Sequence, residues 1–132
     1  MAKYDNQICL IADDYNTARR LIKDSLEQMG FSCFEAENGN QAIAIIQQTT
    51  LDLVIADINM PVKNGIELLK DIRIDENMND LPFVMTMLEP FENLISDAKK
   101  LGMNDYLIKP FDVFTLSKTL DKVIKTSGGE SL

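Results

Sequence analysis

Short apolar runs and amphipathic stretches alternate along the chain from Ile8 to Ile124. Ile8 to Ala12 is continuously apolar and stops at Asp13-Asp14. Ala18, Leu21, Ile22, Ser25 and Met29 then recur at helical spacing, and Gly30 supplies a stop signal. A second short strand is predicted around Phe31 to Ala36, followed by the turn residues Asn38-Gly39-Asn40. Ala42, Ile45, Ile46 and Thr49 share one helical face. Leu51 to Ala56 is a near-continuous apolar strand ending at Asp57, and the loop NMPVKNG leads to a helix carrying Ile66, Leu69 and Ile72. Phe83 to Leu88 gives a fourth strand, and Phe91, Leu94, Ile95, Ala98 and Leu101 a fourth helix ending before Gly102. Tyr106 to Ile108 is a short fifth strand that stops at Lys109-Pro110. Val113, Leu116, Leu120 and Ile124 close with a helix that Asp112 is placed to cap.

Five strand–helix pairs of this kind predict an α/β fold. Strands that are apolar without alternation are buried on both faces, as in a parallel sheet covered by helices. Right-handed crossovers then give a doubly wound five-stranded parallel sheet, whose ligands bind beyond the carboxyl ends of the strands. The pattern fills residues 1–126 as one domain, with 127–132 expected as a flexible tail or linker stub.

Composition narrows the chemistry. The chain has 132 residues, 13 Lys plus Arg and 21 Asp plus Glu, giving a net charge of −8. That balance predicts no direct nucleic-acid or membrane-surface binding. The chain contains no histidine, which excludes a Ser-His or Cys-His nucleophile pair, an imidazole zinc site and phosphohistidine formation on the chain itself. No apolar run approaches the ~20 residues of a membrane span. The start MAKYDNQICL does not resemble a signal peptide, so a cytoplasmic location is expected. Cys9 and Cys33 are expected as reduced, small core residues, and the methionines with Phe111 and Phe114 likewise as core.

The strand ends hold the candidate site. The first strand delivers Asp13 and Asp14, the third Asp57 and the fifth Lys109. Two carboxylates ~4 Å apart repel by about 4 kcal/mol at an effective dielectric near 20, a cost that folding does not reward by itself. A hard divalent cation resolves it, and Mg²⁺ takes one or two carboxylates, waters and phosphate oxygens. Within such a site a carboxylate can act as nucleophile and form an aspartyl phosphate. Asp57, ending a central strand just before a turn, is the best candidate, and Lys109 can contact the product as a point charge. Taken singly, Asp13 or Asp14 is equally well explained as a helix cap.

The runs ICLIADD, LVIADINMPVKNG and YLIKPF together resemble the receiver domain of two-component response regulators, of the single-domain chemotaxis type in length. The resemblance spans roughly Gln7 to Thr126. It implies a flavodoxin-like (βα)₅ fold with strand order 2-1-3-4-5 and Asp57 as phosphoacceptor. It further implies Mg²⁺ held directly by Asp14 and Asp57, through water or the outer shell by Asp13, and by the backbone carbonyl of Asn59. Lys109 would hold the phosphoryl group and precede a cis bond to Pro110. The implied donor is a phosphohistidine on a sensor histidine kinase or histidine phosphotransfer protein. The implied output is a downstream protein bound at the face of the fourth helix, fifth strand and fifth helix, with Tyr106 as the aromatic switch.

One position departs from the family pattern. Receiver domains usually carry Thr or Ser at the end of the fourth strand, followed by a small residue. Here those positions are Met87 and Leu88. Thr86 stands one place early, and the period of two turns it to the face opposite Met87 unless a bulge intervenes. Met87 cannot donate to a phosphoryl oxygen, a bond worth about 1.5–3 kcal/mol, so the usual readout is expected to be blunted. Two alternatives stay open: Met87 fills a gap while another switch operates, or the chain is a degenerate receiver that binds a partner irrespective of phosphorylation. An Asp-nucleophile phosphatase ranks lower because Asn59 stands where that class wants an acid. A flavin carrier ranks lower because no phosphate-cradling loop follows the first strand.

Overall fold

The computed structural model describes residues 2–124, so the tail expected at 127–132 lies outside the described residues. In chain order the elements are β1 (Ile8–Ala12), α1 (Asn16–Gln28), β2 (Ser32–Ala36), α2 (Gly39–Gln48) and β3 (Leu53–Asp57). They continue with α3 (Gly65–Ile74), β4 (Phe83–Met87), α4 (Glu92–Lys100), β5 (Asp105–Ile108) and α5 (Val113–Val123). The five strands form one parallel sheet in the order β2-β1-β3-β4-β5, the doubly wound arrangement expected.

The two sheet faces carry separate cores. Leu10, Val54, Ala56, Phe83, Met85 and Met87 face α2, α3 and α4, where they meet Ala42, Ile46, Leu68, Leu69, Ile72 and Ile95. Cys9, Ile11, Leu53, Ile55, Val84 and Leu107 face the other way, onto Ile22, Leu26, Leu116 and Leu120 of α1 and α5. β3 and β4 are buried at every position, as their unbroken apolar sequences require. β2 departs from that rule. As the edge strand it buries Ala36 and leaves Ser32, Phe34 and Glu35 exposed.

Capping residues fix where several helices begin. Asn38 and Asp112 accept N–H bonds from Gln41 and Thr115, and Asn64 with Glu67 forms a reciprocal capping box at α3. Gly30 and Gly102 stop α1 and α4 with φ of 105° and 107°.

Three expectations need correction. The buried stripe of α1 is Arg19, Ile22 and Leu26, while Leu21 is 64% exposed. The helix is rotated from the apolar reading because Arg19 is drawn inward by polar partners rather than by hydrophobicity. Phe114 is 69% exposed on α5, with the Lys118 ammonium over its ring. Cys9 is buried, but Cys33 on the edge strand is only half-buried.

Candidate functional site

Sheet register gathers the acidic residues. β1 and β3 pair from Cys9–Leu53 to Ala12–Ala56, so continuing one step sets Asp13 beside Asp57. One oxygen from each of Asp13, Asp14 and Asp57 lies within 4.8 Å of the others, with Asp13 and Asp57 buried and Asp14 exposed. Lys109 crosses from the end of β5 and closes the group. Its Nζ donates to Asp57 Oδ2 at 2.8 Å and to Asp13 Oδ2 at 3.0 Å. Burial acts most strongly on this ammonium and pushes its pKa down, yet the bonds and charges of Asp57 and Asp13 together outweigh it and hold the pKa above its ordinary value. The Lys109–Pro110 bond is cis, as the sequence resemblance implied.

The remaining carboxylate oxygens are oriented by backbone. Tyr15 N–H donates to Asp13 Oδ1 at 2.9 Å, and Asn59 N–H donates to Asp57 Oδ1 at 3.1 Å. Three carboxylates with one open, exposed edge at Asp14 make a hard-oxygen donor set that suits Mg²⁺. The lone ammonium balances part of the charge and leaves the cluster net negative. The β3–α3 loop then turns tightly over the site. A Cβ on Gly65 would sit 2.6 Å from the Asp57 carbonyl oxygen, so only glycine lets α3 start this close. Val62 in the same loop holds φ of 70°, an uncommon conformation for a β-branched residue, with its side chain 73% exposed.

One site feature escaped the sequence reading, and a second was read only in part. Arg19 is buried and donates to the Asp13 carbonyl oxygen at 2.7 Å, Asn16 Oδ1 at 2.6 Å and Glu35 Oε1 at 2.9 Å. It thereby ties the end of β1 to the edge strand, and its bond is the main reason Glu35 stays below the ordinary carboxylate range. No apolar periodicity marks an inward arginine; an acid on a neighbouring strand was the one available hint. Thr86 lies on the expected face, and its pairing with Asp57 is the part not read. β3 and β4 pair one-to-one from Val54–Phe83 to Asp57–Thr86 without a bulge, so Thr86 stays on the face opposite Met87 and shares a face with Asp57.

On that opposite face, Met87 is 2% exposed in the core beneath α4, where Tyr106 packs half-buried against the same cluster. Leu88 is 69% exposed and lines an apolar hollow of about 580 Å³ together with Lys109, Pro110, Leu21 and Val113. Among the described residues, no helix is long and apolar enough to cross a membrane.

Comparison with known proteins agrees with this geometry. The family model of the response regulator receiver domain matches residues 9–121. The chemotaxis protein CheY-3 of Vibrio cholerae is 40% identical over 121 residues, covering 91% of this chain and 93% of that protein. The chemotaxis protein CheY of Pseudomonas aeruginosa is 36% identical over 91% of this chain and 98% of its own length. Among solved structures, the Vibrio cholerae chemotaxis protein CheY4 superposes with a TM-score of 0.85 at 31% identity, covering 89% of this chain and 98% of that one. The receiver domain of the sensor histidine kinase PA1611 of Pseudomonas aeruginosa shares the fold, with a TM-score of 0.80 at 24% identity and coverage of 89% and 97%. It was solved with magnesium coordinated in its active-site cleft.

Proposed function

The chain belongs to the response regulator receiver domain family, and from that premise we propose that it is a phosphorylatable signalling switch whose acceptor is Asp57. The observation that carries this reading is the Lys109 ammonium bridging Asp57 and Asp13 at the rim where three carboxylates converge. Asp14 and Asp57 would hold Mg²⁺ directly, with the Asn59 carbonyl alongside and Asp13 acting through water. When bound, the ion supplies positive charge that offsets the charge spread over the phosphoryl oxygens.

The step itself is carried by this chain's residues. A carboxylate oxygen of Asp57 attacks phosphorus of a phosphohistidine; the P–N bond breaks and its electron pair returns to the donor imidazole. Asn59 N–H holds one Asp57 oxygen in place, and Lys109 follows the developing negative charge. The sequence holds no histidine that could carry the phosphoryl group, in agreement with a phosphohistidine on a separate kinase or phosphotransfer protein as donor. The domain is a signalling module, and we assign to it catalysis of its own phosphoryl transfer and dephosphorylation. A cytoplasmic setting, and an output partner bound at the α4, β5 and α5 face beside Tyr106, belong to the same reading.

The burial of Met87 favours a second reading, a receiver that binds its partner whether or not it is phosphorylated. Incubation with acetyl phosphate and Mg²⁺ tests the first. The expected result is a mass gain of one phosphoryl group, lost on chelation and in Asp57→Asn. No gain, or an equal gain in Asp57→Asn, contradicts it. Equal partner affinity with and without beryllofluoride would establish the second reading.

A further inference from the structure

Thr86 is 1% exposed, and its hydroxyl has no hydrogen-bond partner among the described residues. An unpaired buried hydroxyl costs stability, so its presence calls for a physical reason. Register supplies one. Thr86 pairs with Asp57 on one side and with Leu107 on the other, and Asp13 continues the same row across β1. Asp13, Asp57, Thr86 and Leu107 therefore stand side by side on one face of the sheet.

Lys109 lies two residues beyond Leu107 and so belongs to that face. Its ammonium reaches Asp57 and Asp13, yet β4 separates β5 from β3, a span of two strand spacings or ~9.5 Å. The lysine stem therefore crosses β4 on the face that carries Thr86 and, one step further along, Leu88, which lines a hollow with Lys109. The ammonium uses two N–H groups on the carboxylates and its third meets no protein acceptor among the described residues. A donor with one N–H to spare and an unpartnered hydroxyl thus lie on one face of the sheet.

Resting on the phosphoacceptor reading, we propose that Thr86 is a positioning residue for Lys109. As Asp57 takes the phosphoryl group, the Thr86 hydroxyl accepts the third N–H and steadies the ammonium over the phosphoryl oxygens. The hydroxyl that Met87 lacks at the strand end is then replaced, one residue earlier and from the opposite face, by one that acts through the lysine.

Parent, Thr86→Val and Thr86→Ser proteins, each with Mg²⁺ and saturating acetyl phosphate, test this by the rate of phosphoryl mass gain and by the urea midpoint. Thr86→Val keeps or raises the midpoint, because it removes an unpaired hydroxyl at constant shape, yet reacts about tenfold more slowly or worse. Thr86→Ser keeps most of the parent rate. Parent-like phosphorylation of Thr86→Val overturns the proposal. So does slowing accompanied by a fallen midpoint and no rescue by serine, which marks a packing role. A parent protein that gains no phosphoryl group brings down the reading beneath the proposal, and is seen before any substitution is compared.

Discussion

The two halves of the sheet's carboxyl edge are built differently. Across β1, β3 and β5, buried charges are tied to one another: Lys109 joins Asp57 to Asp13, and backbone N–H groups hold the remaining oxygens. At the end of β4 the corresponding position is apolar, with Met87 packed into the core and Leu88 turned outward. The first region has what phosphoryl acceptance needs. The second lacks the hydroxyl through which receiver domains usually convert that event into a shape change. On the proposed reading, acceptance and the usual readout would rest on different residues, on opposite faces of the sheet, and could be varied separately.

Breaking the charged half gives the largest effect. Lys109→Met leaves two mostly buried carboxylates without their shared cation, and removing one partner of a buried charge group costs about 3 kcal/mol. Urea denaturation without divalent cations should show that loss, and added Mg²⁺ should restore part of it. On the apolar half, Met87→Thr returns a hydroxyl to the face that Tyr106 shares. A donor there adds about 1.5–3 kcal/mol of phosphorylation-linked stabilisation, roughly a 10- to 150-fold population shift. The Tyr106 ring resonances should then move much further on beryllofluoride addition than in the parent. Unchanged Tyr106 shifts would mean that readout does not pass through this position.

How far these halves could be read from sequence differs as well. Asp13, Asp14, Asp57 and Lys109 were legible because each directly follows an apolar run, and in a doubly wound sheet all strands end at one rim. The departure at Met87 was legible from its distance to Pro82 and Lys109. The row joining Thr86 to Asp57 was not, since it depends on how β3 and β4 are registered, and one-dimensional periodicity carries no register between strands. Arg19 was hidden for a related reason. Its burial is set by the Asp13 carbonyl and by Glu35 on β2, contacts that exist only after the strands are assembled.

Smaller effects sharpen the picture of the charged half. Val62 adopts a left-handed conformation in the loop that follows Asp57, and its exposed side chain gains little packing there. Val62→Asn should raise stability by about 1 kcal/mol, read from the urea midpoint, with phosphoryl acceptance unchanged.

The Arg19–Glu35 tie predicts a modest acid sensitivity. Glu35 is held below its ordinary pKa of 4.5 when folded, chiefly by Arg19. Its contribution is thus present above that value and fades as pH falls through the lowered folded pKa. Because the Glu35 side chain is a third exposed, the loss amounts to a few tenths of a kcal/mol. Glu35→Gln should lower the neutral plateau of the stability–pH curve by about that amount and flatten its acid limb, the two curves converging at low pH.

The most direct test of the central claim is chemical trapping of the acyl phosphate. Protein treated with acetyl phosphate and Mg²⁺ is reduced with borohydride, which converts an aspartyl phosphate to homoserine, and the peptides are then sequenced. Homoserine at position 57, and its disappearance when Mg²⁺ is chelated, is the predicted result. Homoserine at another acid, or none at all, would contradict the assignment of Asp57 as phosphoacceptor.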